Sequence, residues 1–368
     1  MEQAQQDRIA KAQARMRETG VDLMVLSLGP NLKYLTGFSD EPGERLLMLL
    51  VPREGEPTFL VPELYADQVR QTSWIQTLRV WRDGDEPQAL LGKAIAPLGG
   101  ARGEVAVDDS MWATFLLGLE KVLPKATFSG ASRILAPLRM KKSAAELRAM
   151  EEAGAIADQA FEELLGRKIS GSSELELARA LQDSMLAHGA DAVAFETLVA
   201  SGPNSALPHY RASQRRIQAG DVVILDYGCR VHGYLSDVSR TVVCQRAPAG
   251  LEEIHRLVDE AQAQAVRTAR PGAAAQDIDR SARSVIARAG HGERFLHRTG
   301  HGIGLDVHEP PYIVEGNEDV LEVGMTFSVE PGIYFPGRWG MRIEDVVVVE
   351  EGGARPLTRS THALCVID

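Results

Sequence analysis

The sequence predicts an α+β protein of two domains, and three observations carry the prediction. Its 368 residues exceed the length at which a single hydrophobic core usually stops growing. Short apolar strands mixed with helical patterns fill the first third of the chain, and the remainder groups long helices beside hairpin-like strands. The change of character falls at PLRMKKS, residues 137–143, so the domains are drawn as 1–137 and 138–368.

Ile9, Ala12 and Met16 recur at helical spacing within residues 2–19, with Gly20 where a C-cap glycine belongs, which predicts a first helix. VDLMVLSL (21–28) and RLLMLLVP (45–52) read as buried strands, and PTFLVP and EVAVDD as shorter ones, giving α/β patterning. Ser143 followed by Glu146 is a capping-box signature, opening a long helix over SAAELRAMEEAGAIADQAFEELL. A second helix spans SELELARALQDSMLAHG and stops at Gly189. A third spans LEEIHRLVDEAQAQAVRTARPG and stops at Pro271 and Gly272. DVVILDYG, GYLSDVSRTVVC, MTFSVEPGIY and GMRIEDVVVVEE supply strands, and helices covering one side of an antiparallel sheet accommodate both groups.

Composition narrows the function. A net charge of -11 with no Lys/Arg block leaves no footprint for a phosphate backbone, so no nucleic-acid partner is expected. Cys229, Cys244 and Cys365 lack CxxC spacing, which argues against both a disulfide framework and a thiolate metal site. The first twenty residues lack the apolar core of a signal peptide, and no stretch nears the roughly 18 apolar residues needed to span a bilayer. A soluble, cytoplasmic protein without a membrane partner is expected.

Chemistry enters with acids in apolar surroundings. Asp226 ends the strand DVVILDYG, and Asp237 lies on the returning strand of a hairpin turning near His232 and Gly233, so pairing brings both carboxylates toward one point. A lone strand-end Asp commonly serves a turn. Two facing, buried carboxylates need cations between them. HRTGHGIGLDVHEPP, residues 297–311, then holds His297, His301 and His308, three of the nine histidines. Gly300, Gly302 and Gly304 disfavour a helix, and no Glu stands where the HExxH motif requires one, so this is not a zincin pair. Imidazoles in a glycine-rich segment suit metal ligation or proton handling, with surface-loop histidines as the plain alternative. Glu330 in FSVEPGIY and Glu344 in MRIEDVVVV sit inside apolar strand patterns and need partners. Four carboxylates and the neutral His301 carry four negative charges, a match for two divalent cations better than for one.

DYG followed by SDVSRT, then TGHGIGLDVHEPP, SVEPGIY and RIED, resembles the pita-bread metallopeptidases, which include methionine aminopeptidase, Xaa-Pro aminopeptidase (aminopeptidase P) and Xaa-Pro dipeptidase (prolidase). The resemblance covers residues 140 to 368, roughly, and NLKYLTGF at 31–38 resembles the creatinase-type first domain of the proline-directed members. It implies a creatinase-type α/β domain followed by a pita-bread catalytic domain with a curved antiparallel sheet covered by helices. By that resemblance Asp226 and Glu330 hold separate metals, Asp237 and Glu344 contact both, and His301 completes one shell. His209 in SALPHYR and His308 line the substrate site, His297 lies nearby, and Arg342 braces the carboxylates. Glu330 is then the expected proton shuttle and His308 the donor to the oxyanion. The oxygen-rich shell favours Mn2+, with Co2+ or Zn2+ able to substitute.

Prolidases of this family often carry an arginine shortly after the HE pair matched by His308 and Glu309, where it can bind the free carboxylate of a dipeptide. Here HEPPYIVEG has Tyr312 in that neighbourhood, with Arg338 in PGRWG as a more distant source of charge. The sequence therefore ranks an Xaa-Pro aminopeptidase, acting on longer proline-containing peptides, above an Xaa-Pro dipeptidase. A broad-specificity aminopeptidase, a metal-free creatine hydrolase and a non-catalytic binding module are the other readings, and the intact five-ligand set argues against the last two. The resemblance also implies a homodimer or larger homo-oligomer.

Overall fold

The computed structural model describes residues 2–98 and 102–368. They form two compact units that divide between Arg139 and Met140.

In the first unit the amphipathic stripe becomes the helix Glu2–Thr19, burying Ile9, Ala12 and Met16. Six strands make a mixed sheet in the order Leu78–Trp81, Thr58–Pro62, Met48–Pro52, Val21–Ser27, Glu104–Val107, Thr127–Gly130. Val21–Ser27 pairs antiparallel with Met48–Pro52 and parallel with Glu104–Val107. Its near-continuous apolar run reflects burial on both faces. The two outermost strands escape a reading of the sequence because they are largely unburied edges without an apolar pattern. Pro137 lies inside the helix Ser132–Met140. A proline there leaves the carbonyl of Arg133 without its helical donor, and Arg15 Nη2 approaches that oxygen at 3.4 Å.

In the second unit Ser143 caps the helix Ala144–Leu165, and the Glu146 carboxylate reaches back to Ser143 N at 2.6 Å. This helix, Glu174–Ala187, Leu251–Thr268 and Ala275–Arg288 pack on a nine-stranded sheet. The fourth helix is unmarked at its start, where Ala274 offers no side-chain cap, although Ile278, Ala282, Val285 and Ile286 recur at helical spacing within it. The sheet departs from the expected antiparallel plan at Cys365–Ile367, which runs parallel to Val238–Cys244.

Strand alternation positions the site. Val223, Leu225 and Tyr227 share a core with the helices 144–165 and 174–187, so Asp226 on the same strand, Val222–Tyr227, points to the opposite face. Val347 and Val349 likewise join the core of the helix 251–268, leaving Glu344 on the other face of the strand Glu344–Glu350. The register sets Asp226 against Ser239 and Ser239 against Glu344, forming a polar row across three adjacent strands. Among the described residues, no helix is long and apolar enough to cross a membrane.

Candidate active site

The hairpin after Asp226 turns at His232 and Gly233, whose φ of 50° and 88° suit a two-residue loop between antiparallel strands. The direct partner of Asp226 is Ser239 and not Asp237, which stands just before the strand Val238–Cys244. His301 is carried by the short strand Gly300–Gly302, between Glu309–Ile313 and Thr326–Val329. A side chain on Gly300 would run into Ser328 O, so glycine is what lets this backbone come so close.

One cavity in the second unit gathers Asp226, Asp237, His301, Glu330 and Glu344 with His209, His297, His308 and Arg342. Ligand atoms of Asp237, His301 and Glu344 all lie within 4.8 Å of one another. His301 Nε2 is 3.7 Å from Asp237 Oδ2 and 3.4 Å from Glu330 Oε1. Its Nδ1 faces Gly302 O at 3.2 Å, and a carbonyl only accepts, so Nδ1 carries the hydrogen and Nε2 turns a lone pair toward the carboxylates. Asp226 stands outside the tight trio. Its Oδ2 accepts from Arg342 Nη2 at 2.6 Å, while its buried Oδ1 has no hydrogen-bond partner among the described residues. Glu344 Oε2 accepts from Ser239 Oγ at 2.7 Å.

The electrostatics record an excess of buried acceptors. Burial, reinforced by Asp226 and Glu330, pushes the Asp237 carboxyl well above its ordinary range. Burial and Asp237 do the same to Glu344. Burial lifts Glu330 to about 7 against the pull of Arg342. Burial also drops His301 to about 3, with His308 adding to it, and drops His297 to about 3, with Arg342 adding to it. His308, exposed at the cavity wall, also moves down, through desolvation first and Arg298 second. Clustered carboxylates, an imidazole lone pair and an orphaned Asp226 Oδ1 form a donor set that fits hard or borderline divalent ions.

Arg342 braces this cluster. Its Nε donates to Ser239 Oγ at 2.8 Å and its Nη1 to Tyr334 OH at 2.9 Å. His297 Nδ1–H goes to Arg298 O at 2.9 Å, so its Nε2 accepts the Tyr334 hydroxyl at 2.9 Å. Ser239 and Tyr334 lie within stretches that the sequence marks, but only the strand register distinguishes them from their neighbours.

A cation other than Arg338 stands beside Tyr312. Arg338 stacks at 5.6 Å on Phe335 and 5.8 Å on Trp339, and is not among the residues lining the cavity. Arg298 does line it, with its guanidinium 4.6 Å from the centre of the Tyr312 ring. Pairing of His301 with Tyr312 across antiparallel strands folds the stretch 297–312 back on itself and brings Arg298 over the Tyr312 ring.

A helix-backed sheet bearing a buried carboxylate and histidine cluster, preceded by a separate α/β unit, defines a two-domain metallopeptidase of pita-bread architecture. Residues 148–351 match Metallopeptidase family M24 and residues 8–141 match the Creatinase/Prolidase N-terminal domain. The chain belongs to the M24 metallopeptidases. It is 41% identical over 364 residues to the "Probable dipeptidase PepE" of Mycobacterium tuberculosis, covering 98% of this chain and 96% of that one. It resembles the crystal structure of a dipeptidase from Pyrococcus horikoshii with a TM-score of 0.92 at 43% identity, over 98% of this chain and 99% of that one. A prolidase from Thermococcus sibiricus superposes with a TM-score of 0.94 at 38% identity, over 98% of each chain.

Proposed function

We propose that this peptidase is a two-metal dipeptidase that hydrolyses Xaa-Pro dipeptides, which reverses the order in which the sequence alone ranks dipeptidase and aminopeptidase. Arg298 carries the reading: a guanidinium in the cavity wall, stacked on Tyr312 and in no ion pair among the described residues. A dipeptide ends in a carboxylate close to its one peptide bond, and a charge-assisted bond to that carboxylate favours it over an internal peptide unit. The names of the relatives, dipeptidase and prolidase, support the same side.

Asp226, Asp237, His301, Glu330 and Glu344 would hold two divalent ions, with Mn2+ best suited to the oxygen-rich set and Co2+ or Zn2+ as substitutes. When bound, such ions supply a water acidified toward neutral pH and a Lewis acid for the scissile carbonyl. Glu330, in the cavity wall at the edge of the cluster, is the carboxylate placed to pass a proton to the leaving nitrogen. His308, in the cavity wall and with its pKa lowered by desolvation and Arg298, offers an N–H to the developing oxyanion. His297 holds Tyr334 and through it Arg342, and His209 meets the substrate from the cavity wall. Three free thiols fit a reducing cytoplasm, and a homodimer or larger homo-oligomer is the assembly read from the family.

The test compares Ala-Pro with its amide, with Ala-Pro-Ala and with Ala-Ala on metal-loaded enzyme. The expected kcat/KM for Ala-Pro exceeds that of the amide and the tripeptide by about tenfold or more, as loss of a charge-assisted bond dictates. A tripeptide cleaved as well or better returns the enzyme to the Xaa-Pro aminopeptidases, and equal turnover of Ala-Ala removes proline from the reading.

A further inference from the structure

The cavity wall that carries His209 is the loop 202–213, and both of its ends are tied to one carboxylate. Glu174 opens the helix Glu174–Ala187 and is completely buried. Its Oε1 accepts from Ser201 N at 2.8 Å, Ser201 Oγ at 2.7 Å and Asn204 Nδ2 at 2.9 Å. Its Oε2 accepts from Ser213 N at 3.1 Å and Ser213 Oγ at 2.7 Å. One oxygen thus holds the point where the chain leaves the strand Leu198–Ser201, and the other holds the point where it returns. Between them Gly340 N donates to Ser205 Oγ at 3.0 Å and Arg342 Nη1 to Pro208 O at 3.3 Å, which fixes the loop to the strand beside the carboxylate cluster. Pro208, His209, Tyr210 and Arg211 line the cavity, whereas Glu174 does not.

We infer that Glu174 is a positioning residue that acts on substrate binding through the His209 loop, with no part in holding metal. The inference rests on the reading of His209 as substrate-facing. A carboxylate suits the task because it only accepts, so two oxygens can satisfy all five donors, and completed hydrogen bonds are the condition for burying such a charge. An amide in its place turns an N–H toward donors and releases one end of the loop. Displacement of the wall that carries His209 weakens substrate binding, while the carboxylates on the sheet keep their own supports.

The experiment measures kcat, KM and metal content of the metal-loaded full chain for Glu174→Gln, His209→Ala and the double variant. Glu174→Gln is expected to raise KM for Ala-Pro about tenfold or more, with a smaller change in kcat and unchanged metal content. The double variant is expected to be no worse than the worse single variant, because both changes act on one loop. KM within about twofold of the parent, or losses that multiply fully in the double variant, overturn the inference. If Glu174→Gln does not fold, Ser213→Ala removes one clasping donor and is expected to raise KM by a smaller factor; an unchanged KM there also overturns it. A silent His209→Ala beside a raised KM in Glu174→Gln supports the clasp and removes the substrate role of His209.

Discussion

His301 turns its Nε2 toward Glu330 Oε1 at 3.4 Å, because its Nδ1–H is committed to Gly302 O. A lone pair facing a carboxyl oxygen requires a cation or a proton between them, and Glu330, lifted by burial to about 7, supplies the proton in metal-free protein. Divalent ions must expel that proton, along with those that burial and mutual repulsion keep on Asp237 and Glu344. Mn2+ binding is therefore expected to release protons, with affinity rising with pH through about 7. Calorimetry in two buffers of different ionisation heat reads the release. Binding without proton release, and with no pH dependence, would contradict the competition.

The same carboxyl gives stability a direction. Between its ordinary value of 4.5 and about 7, Glu330 holds more proton in the folded than in the unfolded chain. Metal-free protein is therefore expected to lose stability as pH rises through that window, and metal-loaded protein to be spared. Melting curves with and without Mn2+ across the window test this. A metal-free Tm that climbs through it would show that other groups dominate.

His308 is expected to act on the transition state and not on the metals. His308→Ala should lower kcat about a hundredfold, the scale for an oxyanion donor, with metal content unchanged. Loss of metal from that variant would move His308 into the ligand set.

On the helix side of the sheet, Asp345 accepts from Arg240 Nη2 at 2.7 Å, Thr358 Oγ1 at 2.6 Å, Gln262 Nε2 at 2.9 Å and His362 Nε2 at 2.7 Å. Burial works to raise this carboxyl, and Arg240 with His362 outweighs it, holding it below its ordinary range. Asp345→Asn leaves the buried Arg240 without a counter-ion, and the expected loss is about 3–5 kcal/mol, read from urea denaturation. A loss under about 1 kcal/mol, the size of a surface pair, would mean that the guanidinium finds compensation elsewhere.

The candidate ligands are legible in the sequence because Asp226, Glu330 and Glu344 are acids in apolar strand patterns, where burial leaves few bland explanations. Ser239 and Tyr334 are not, since their meaning comes from cross-strand register and distant contacts, and Arg298, though inside the quoted histidine stretch, gains its meaning only when that stretch folds back on Tyr312. Glu174 is hidden for another reason: it follows Ser173 inside a capping box completed by Glu176, where an acid in the first turn looks like ordinary helix chemistry. The helix 275–288 lacks a capping side chain to mark its start, although its apolar spacing is helical, and the outer strands of the first unit lack an apolar pattern. The proposed reversal of the substrate ranking turns on Arg298, whose guanidinium lies over the Tyr312 ring only once the strands carrying His301 and Tyr312 have paired.

The pair of ions on which the peptidase reading depends is tested most directly by the metal-to-chain ratio of Mn2+-reconstituted protein, measured by elemental analysis beside Ala-Pro hydrolysis, in the parent and in Asp237→Ala and Glu344→Ala. The expected result is close to two ions per parent chain, and loss of both bound metal and hydrolysis in either variant, since each change removes a proposed bridge. Full hydrolysis with one bridging carboxylate gone, or full activity in a parent chain stripped of divalent metal, would contradict it.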